Sequence, residues 1–125
     1  MAAFISSLNE CTFCVRAHSA VSAGAYNDRV KVSKVLSGLE TAPIETPLRA
    51  TLTLLSKLTR EHSINVNDIQ TVMASGVSYG QIEDALAVCF AFNTTNRLAD
   101  AFGFSIPSSE AFEAGAKHLL KRGYQ

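Results

Sequence analysis

The chain has 125 residues, 47% of them apolar and 18% charged, enough to enclose one hydrophobic core. Eleven basic residues balance eleven acidic ones and no basic run stands out, which argues against nucleic-acid or anionic-membrane partners. No apolar stretch approaches the roughly 18–20 residues of a membrane span, and residues 1–8 lack the basic start of a secretory signal.

In chain order, residues 2–8 read as the tail of a helix. Asn9 is a candidate N-cap for the next helix, which would carry Cys11 and Cys14 in its first turns and end near Gly24. A short basic helix follows over 28–37, stopped by Gly38. Thr46 and Pro47 pair an N-cap with proline at the first helical position, opening an amphipathic helix with Leu48, Leu52, Leu55 and Leu58 on one face. Residues 65–68 start another helix, closed by Gly76. Ser78 and Gln81 fit a capping box and begin the longest helix, to about Phe102, with Gly103 as its stop. Ser108 or Ser109 starts the last, near 110–122. Strand-type alternation is scarce, and there is neither a linker nor an internal repeat. The expected class is all-α, one domain over 1–125 with about six helices.

Cys11, Cys14 and His18 carry the strongest chemical signal. At about 100° per residue, positions i, i+3 and i+7 share one helical face. Thiols one turn apart can close into a disulfide, which needs Cα atoms about 4.4–6.8 Å apart. His18, four residues after Cys14, is spaced to take a thiol proton, and a helix N-terminus lowers a cysteine pKa. The bland alternative for both cysteines is burial as small hydrophobes. Zinc is the other alternative, but Cys11 and His18 stand about 10 Å apart along a helix axis, too far for bonds of about 2.0–2.3 Å to one ion. No second Cys/His pair is present, so no metal is expected. An odd count of three cysteines also does not make a secreted disulfide framework, and a cytoplasmic protein is expected.

Glu10 stands four residues before Cys14, either as a first-turn acid answering the helix dipole or as a carboxylate acting through His18 or water. Asn93, Asn96, Arg97 and Asp100 form a polar stripe on the long helix, read as helix–helix or subunit hydrogen bonding with an Arg97–Asp100 pair. Cys89, among apolar neighbours, reads as core. His62 and His118 read as exposed and without a role.

Two blocks carry a resemblance. They are Leu8-Asn9-Glu10-Cys11-Thr12-Phe13-Cys14-Val15-Arg16-Ala17-His18 and Phe92-Asn93-Thr94-Thr95-Asn96-Arg97-Leu98-Ala99-Asp100-Ala101-Phe102-Gly103. The first resembles the Cys-x-x-Cys-x-x-x-His signature of the alkylhydroperoxidase AhpD-like branch of the carboxymuconolactone decarboxylase superfamily. The second resembles the closing segment of its peroxidase-related subgroup. The resemblance implies an all-helical fold assembled into trimers or hexamers, and hydroperoxide reduction without a cofactor. A dithiol of thioredoxin or lipoyl type would supply the electrons. Carried over, Cys14 meets the peroxide, Cys11 resolves the sulfenic acid and His18 serves as base. The family's relay glutamate, counted back from Cys11, falls before Met1, so an N-terminal helix segment is expected to be missing, with Glu10 as the candidate substitute. Two other readings follow from the same blocks. One is a redox-sensing or catalytically impaired relative. The other is a lactone decarboxylase, a branch that generally lacks the cysteine pair.

Overall fold

Capping chemistry sets most of the helix boundaries. Asn65 Oδ1 accepts from the N–H groups of Asn67 and Asp68, and the Asp68 carboxylate accepts from the Asn65 N–H. Ser78 and Gln81 close the same reciprocal box at the head of the longest helix. Asp28 accepts from the Lys31 N–H, and Ser108 Oγ from the Ala111 N–H. Gly76 and Gly103 sit at φ +97° and +63°, where a side chain would be strained.

The computed structural model describes residues 1–123. Among them every regular element is a helix: α1 (Ala2–Leu8), α2 (Thr12–Tyr26), α3 (Arg29–Ser37), α4 (Thr46–Glu61), α5 (Val66–Ala74), α6 (Tyr79–Ala101) and α7 (Ser109–Arg122). The all-α class is as expected. The described helices number seven rather than about six, the stretch Ala2–Leu8 counting as a helix of its own.

Three boundaries differ from the sequence reading. Asn9 ends α1, with its N–H on the Ile5 carbonyl, and Glu10 follows at φ +58°, so the chain cannot run on as helix. Cys11, not Asn9, is the N-cap of α2. Secondly, α2 continues past Gly24 to Tyr26 and stops on a left-handed Asn27. Gly24 serves a different purpose, since a Cβ there would come within 2.7 Å of Leu120 Cδ1 on α7. Its missing side chain admits the helix against which α2 packs most extensively. Thirdly, Glu45 is the N-cap of α4, placing Thr46 and Pro47 in its first turn. The Arg49 guanidinium donates to the carbonyls of Leu39, Glu40, Ala42 and Ile44, tying down the loop before that helix.

The interior is built from three contiguous clusters. Ile5, Leu55, Ala85 and Cys89 join α1, α4 and α6. Leu54, Val72, Val77 and Ile82 continue that core towards α5. Cys11, Cys14 and Ala99 form the third, where α2 meets α6. The leucine face of α4 lies as its spacing requires, with Leu52 and Leu55 fully enclosed. No described helix is long and apolar enough to cross a membrane.

Candidate functional site: a buried thiol pair at a helix start

α1 docks by burying Ala3, Phe4, Ile5 and Ser6, and its end then dictates where the cysteines fall. The Ser6 carbonyl accepts from the Cys11 N–H and the Ser7 carbonyl from the Glu10 N–H, so the chain reverses tightly between α1 and α2. Asn9 Nδ2 donates to Asn93 Oδ1 of α6 at 3.0 Å, pinning the turn from the other side. Ser6 Oγ donates to the fully buried Asn96 Oδ1 at 3.0 Å, one helical turn further along α6. The polar stripe of α6 therefore fastens α1 and the cysteine turn to the long helix.

This corrects two expectations. Asn93 also donates to Thr59 Oγ1 and to the Cys89 carbonyl and sulfur, so buried Cys89 has polar neighbours on α4 and α6 as well as apolar ones. Arg97 and Asp100 form no ion pair. Among the described residues the ion pairs are Arg29–Glu113 and Lys57–Asp68.

Cys11, as N-cap, and Cys14, one turn later, are brought together as unoxidised thiols. Cys11 is 0% and Cys14 3% exposed, so both thiols are enclosed. Phe13 closes over them, packed edge-on against Phe104 at 5.3 Å and tilted against Phe112 at 5.6 Å. Two opposing influences meet at the pair. The Cys11 side chain does not bond the first-turn N–H groups, and that turn carries no acid, so the positive end of α2 is uncompensated and favours a thiolate. Burial acts the other way and is stronger. It pushes the Cys14 thiol up to about 12, with the adjacent Cys11 thiol and then the Asp100 carboxylate adding to the effect. The lowered cysteine pKa expected from helix position alone is therefore overridden by desolvation in the enclosed reduced state.

His18 follows Cys14 by one turn on α2 and meets the Phe92 ring of α6 edge-on at 4.5 Å. Burial, then the nearby amino-terminal ammonium, lowers its pKa below the usual histidine value, so the imidazole is neutral near pH 7. A neutral imidazole is the form able to accept a proton. Glu10 lies outside α2, exposed in the turn at φ +58°, so its position relative to Cys14 is not the helical i−4 the spacing suggested.

Sequence reasoning missed Asp100. It was assigned to Arg97 as a neighbour on the same helix, whereas its charge acts across the α2–α6 contact on Cys14. Its neighbour Ala99 is buried against both thiols, a contact between residues 85 positions apart or more that no local pattern announces. Asp100→Asn is expected to speed alkylation of Cys14 by iodoacetamide at pH 8 by roughly two- to threefold, as befits an exposed charge contributing about 0.2–1 kcal/mol. Residue-resolved mass spectrometry reads this directly. An unchanged rate would remove Asp100 from the thiol's electrostatics.

Among the described residues no group of three or more His, Cys, Asp or Glu side chains converges to hold a metal ion. No model of a known protein family matches the chain, and no curated protein is significantly similar to it.

Proposed function

We propose that the chain is a thiol-dependent hydroperoxide reductase of the alkylhydroperoxidase type, with Cys11 and Cys14 as its redox pair. The observation that supports this most directly is the packing of two unoxidised thiols against each other at the start of α2. A histidine held neutral stands one turn on. In the proposed cycle His18 takes the Cys14 proton, and the thiolate sulfur attacks the distal peroxide oxygen. The O–O bond breaks, the peroxide is reduced to an alcohol that gains the proton, and Cys14 is oxidised to a sulfenic acid. Cys11 sulfur then displaces water to form the Cys11–Cys14 disulfide, and an external dithiol of thioredoxin or lipoyl type restores both thiols by exchange. The roles of Cys14 as attacking and Cys11 as resolving thiol follow the resemblance. Exposed Phe90 and Leu98 on α6 and Phe102 just beyond it support assembly into a homo-oligomer, which the resemblance makes trimeric or hexameric.

The test is the pH profile of thiol oxidation by cumene hydroperoxide. In the parent chain His18 carries the proton away near neutral pH. His18→Ala is expected to slow oxidation on the order of 10²-fold at pH 7, the span of a general-base contribution. The two profiles should converge at high pH, where hydroxide deprotonates Cys14 in both. Parallel profiles across the whole range would remove His18 from the chemistry.

A second reading is favoured by two observations. Near-complete burial of both thiols and the raised Cys14 pKa suit a slow redox sensor or a structural relative. Oxidation no faster than that of a free thiol would select it.

A further inference from the structure

Away from the thiols, α2, α3 and α7 border an open cleft of about 360 Å³. That volume falls within the range of about 300–1,000 Å³ common to small-ligand clefts. One part of its wall is apolar, with Ala20 and Ala23 from α2, Val32 and Leu36 from α3, and Phe112 from α7, and Ser33, Ser37 and Ser109 give the rest a hydroxyl-bearing surface. Ser19 lines the cleft with its Oγ buried and without a hydrogen-bond partner. Arg16 lines the same cleft, held in place by a 3.2 Å bond to Ser109 Oγ and by the Phe112 ring 5.4 Å from its guanidinium.

The charges select the ligand. Arg29 and Glu113 also line the cleft, but they neutralise each other at 2.7 Å. Arg16 is in neither of the ion pairs formed among the described residues, which leaves the cleft with one uncompensated positive charge. A planar guanidinium matches a carboxylate, and a single excess charge beside Glu113 disfavours a dianion.

We propose that this cleft is a binding site for a small monocarboxylate with an apolar body, its carboxylate on Arg16 and its body against Val32, Leu36 and Phe112. The site shares α2 with the thiol pair but contains neither thiol, so it stands or falls independently of the peroxidase reading.

The experiment is a titration of the full chain with octanoate, followed by backbone amide NMR, with octan-1-ol and octyl phosphate as matched probes. Octanoate is expected to give saturable shifts clustered on α2 around Ser19–Ala23 and on α3 around Val32–Leu36, and to bind more tightly than either other probe. Arg16→Gln should weaken octanoate about tenfold, the size of a lost charge-assisted contact. Glu113→Gln, which releases Arg29 without touching Arg16, should tighten it severalfold, an opposite sign that misfolding would not produce. Absence of saturable shifts would overturn the proposal. Octan-1-ol binding as tightly as octanoate would overturn it too, as would tighter binding of octyl phosphate or an affinity unmoved by both substitutions.

Discussion

Replacing Cys11 with serine is expected to stop turnover of cumene hydroperoxide while leaving the first encounter intact. Cys14 keeps its place in the first turn of α2 and consumes a single equivalent of peroxide per chain. No second thiol then stands ready to expel water from the sulfenic acid. The third cysteine, Cys89, lies in the separate core of α1, α4 and α6, against Thr59 and Asn93. Excess peroxide therefore carries Cys14 on to sulfinic acid. Intact-mass spectrometry should show a gain of two oxygens and no disulfide, and steady-state turnover should fall to background. Cys14→Ser should differ by losing the first equivalent as well. Continued turnover in Cys11→Ser would mean that another thiol resolves the intermediate, and the pairing proposed here would fail.

The second large effect concerns what holds the pair in place. Ile5→Ala is expected to cost about 2–5 kcal/mol, the range for deleting most of a fully enclosed branched side chain. Ile5 is 0% exposed and packs with Leu55, Ala85 and Cys89. For a chain of this size the loss lowers the melting temperature on the order of 10 °C or more. The same residue sits just before Ser6, whose carbonyl holds the Cys11 N–H and whose hydroxyl holds Asn96. Loosening α1 should therefore also raise the alkylation rate of both thiols, as local opening replaces enclosure. A melting temperature within about 2 °C of the parent would contradict the assignment of Ile5 to the central core.

The helix pattern was legible because local chemistry and the fold agree. The caps at Asn65, Ser78 and Ser108, the leucine face of α4 and the glycine stops at 76 and 103 all act within a few residues of themselves. The Cys11–Cys14 juxtaposition was legible for the same reason. What the sequence hid depends on neighbours distant along the chain. Asn9 has the composition of an N-cap, but its side chain is committed to Asn93, 84 residues away. Gly24 looks like a stop, but the space it leaves is taken by Leu120. The thiol pKa could not be read from helix position, because burial beneath Phe13 and against Ala99 outweighs the favourable helix end. Asp100 was given the nearest opposite charge on its own helix, while its influence crosses to α2.

The alkaline side of the stability curve carries the signature of that buried thiol. The folded-state pKa of Cys14 lies above its ordinary value of 9.0, so the stability tied to its protonated form is complete below pH 9 and is lost as pH rises towards about 12. His18 acts at the other end. Its lowered folded-state pKa means that stability falls as pH drops through and below 6.5, where the unfolded histidine takes up a proton more readily.

The most direct measurement is stopped-flow oxidation of the reduced chain by cumene hydroperoxide, quenched over time and mapped by peptide mass spectrometry. The account predicts rapid formation of a disulfide between Cys11 and Cys14, abolished by Cys14→Ser, with Cys89 still reduced. Oxidation no faster than that of a free thiol, or a disulfide involving Cys89, would contradict it.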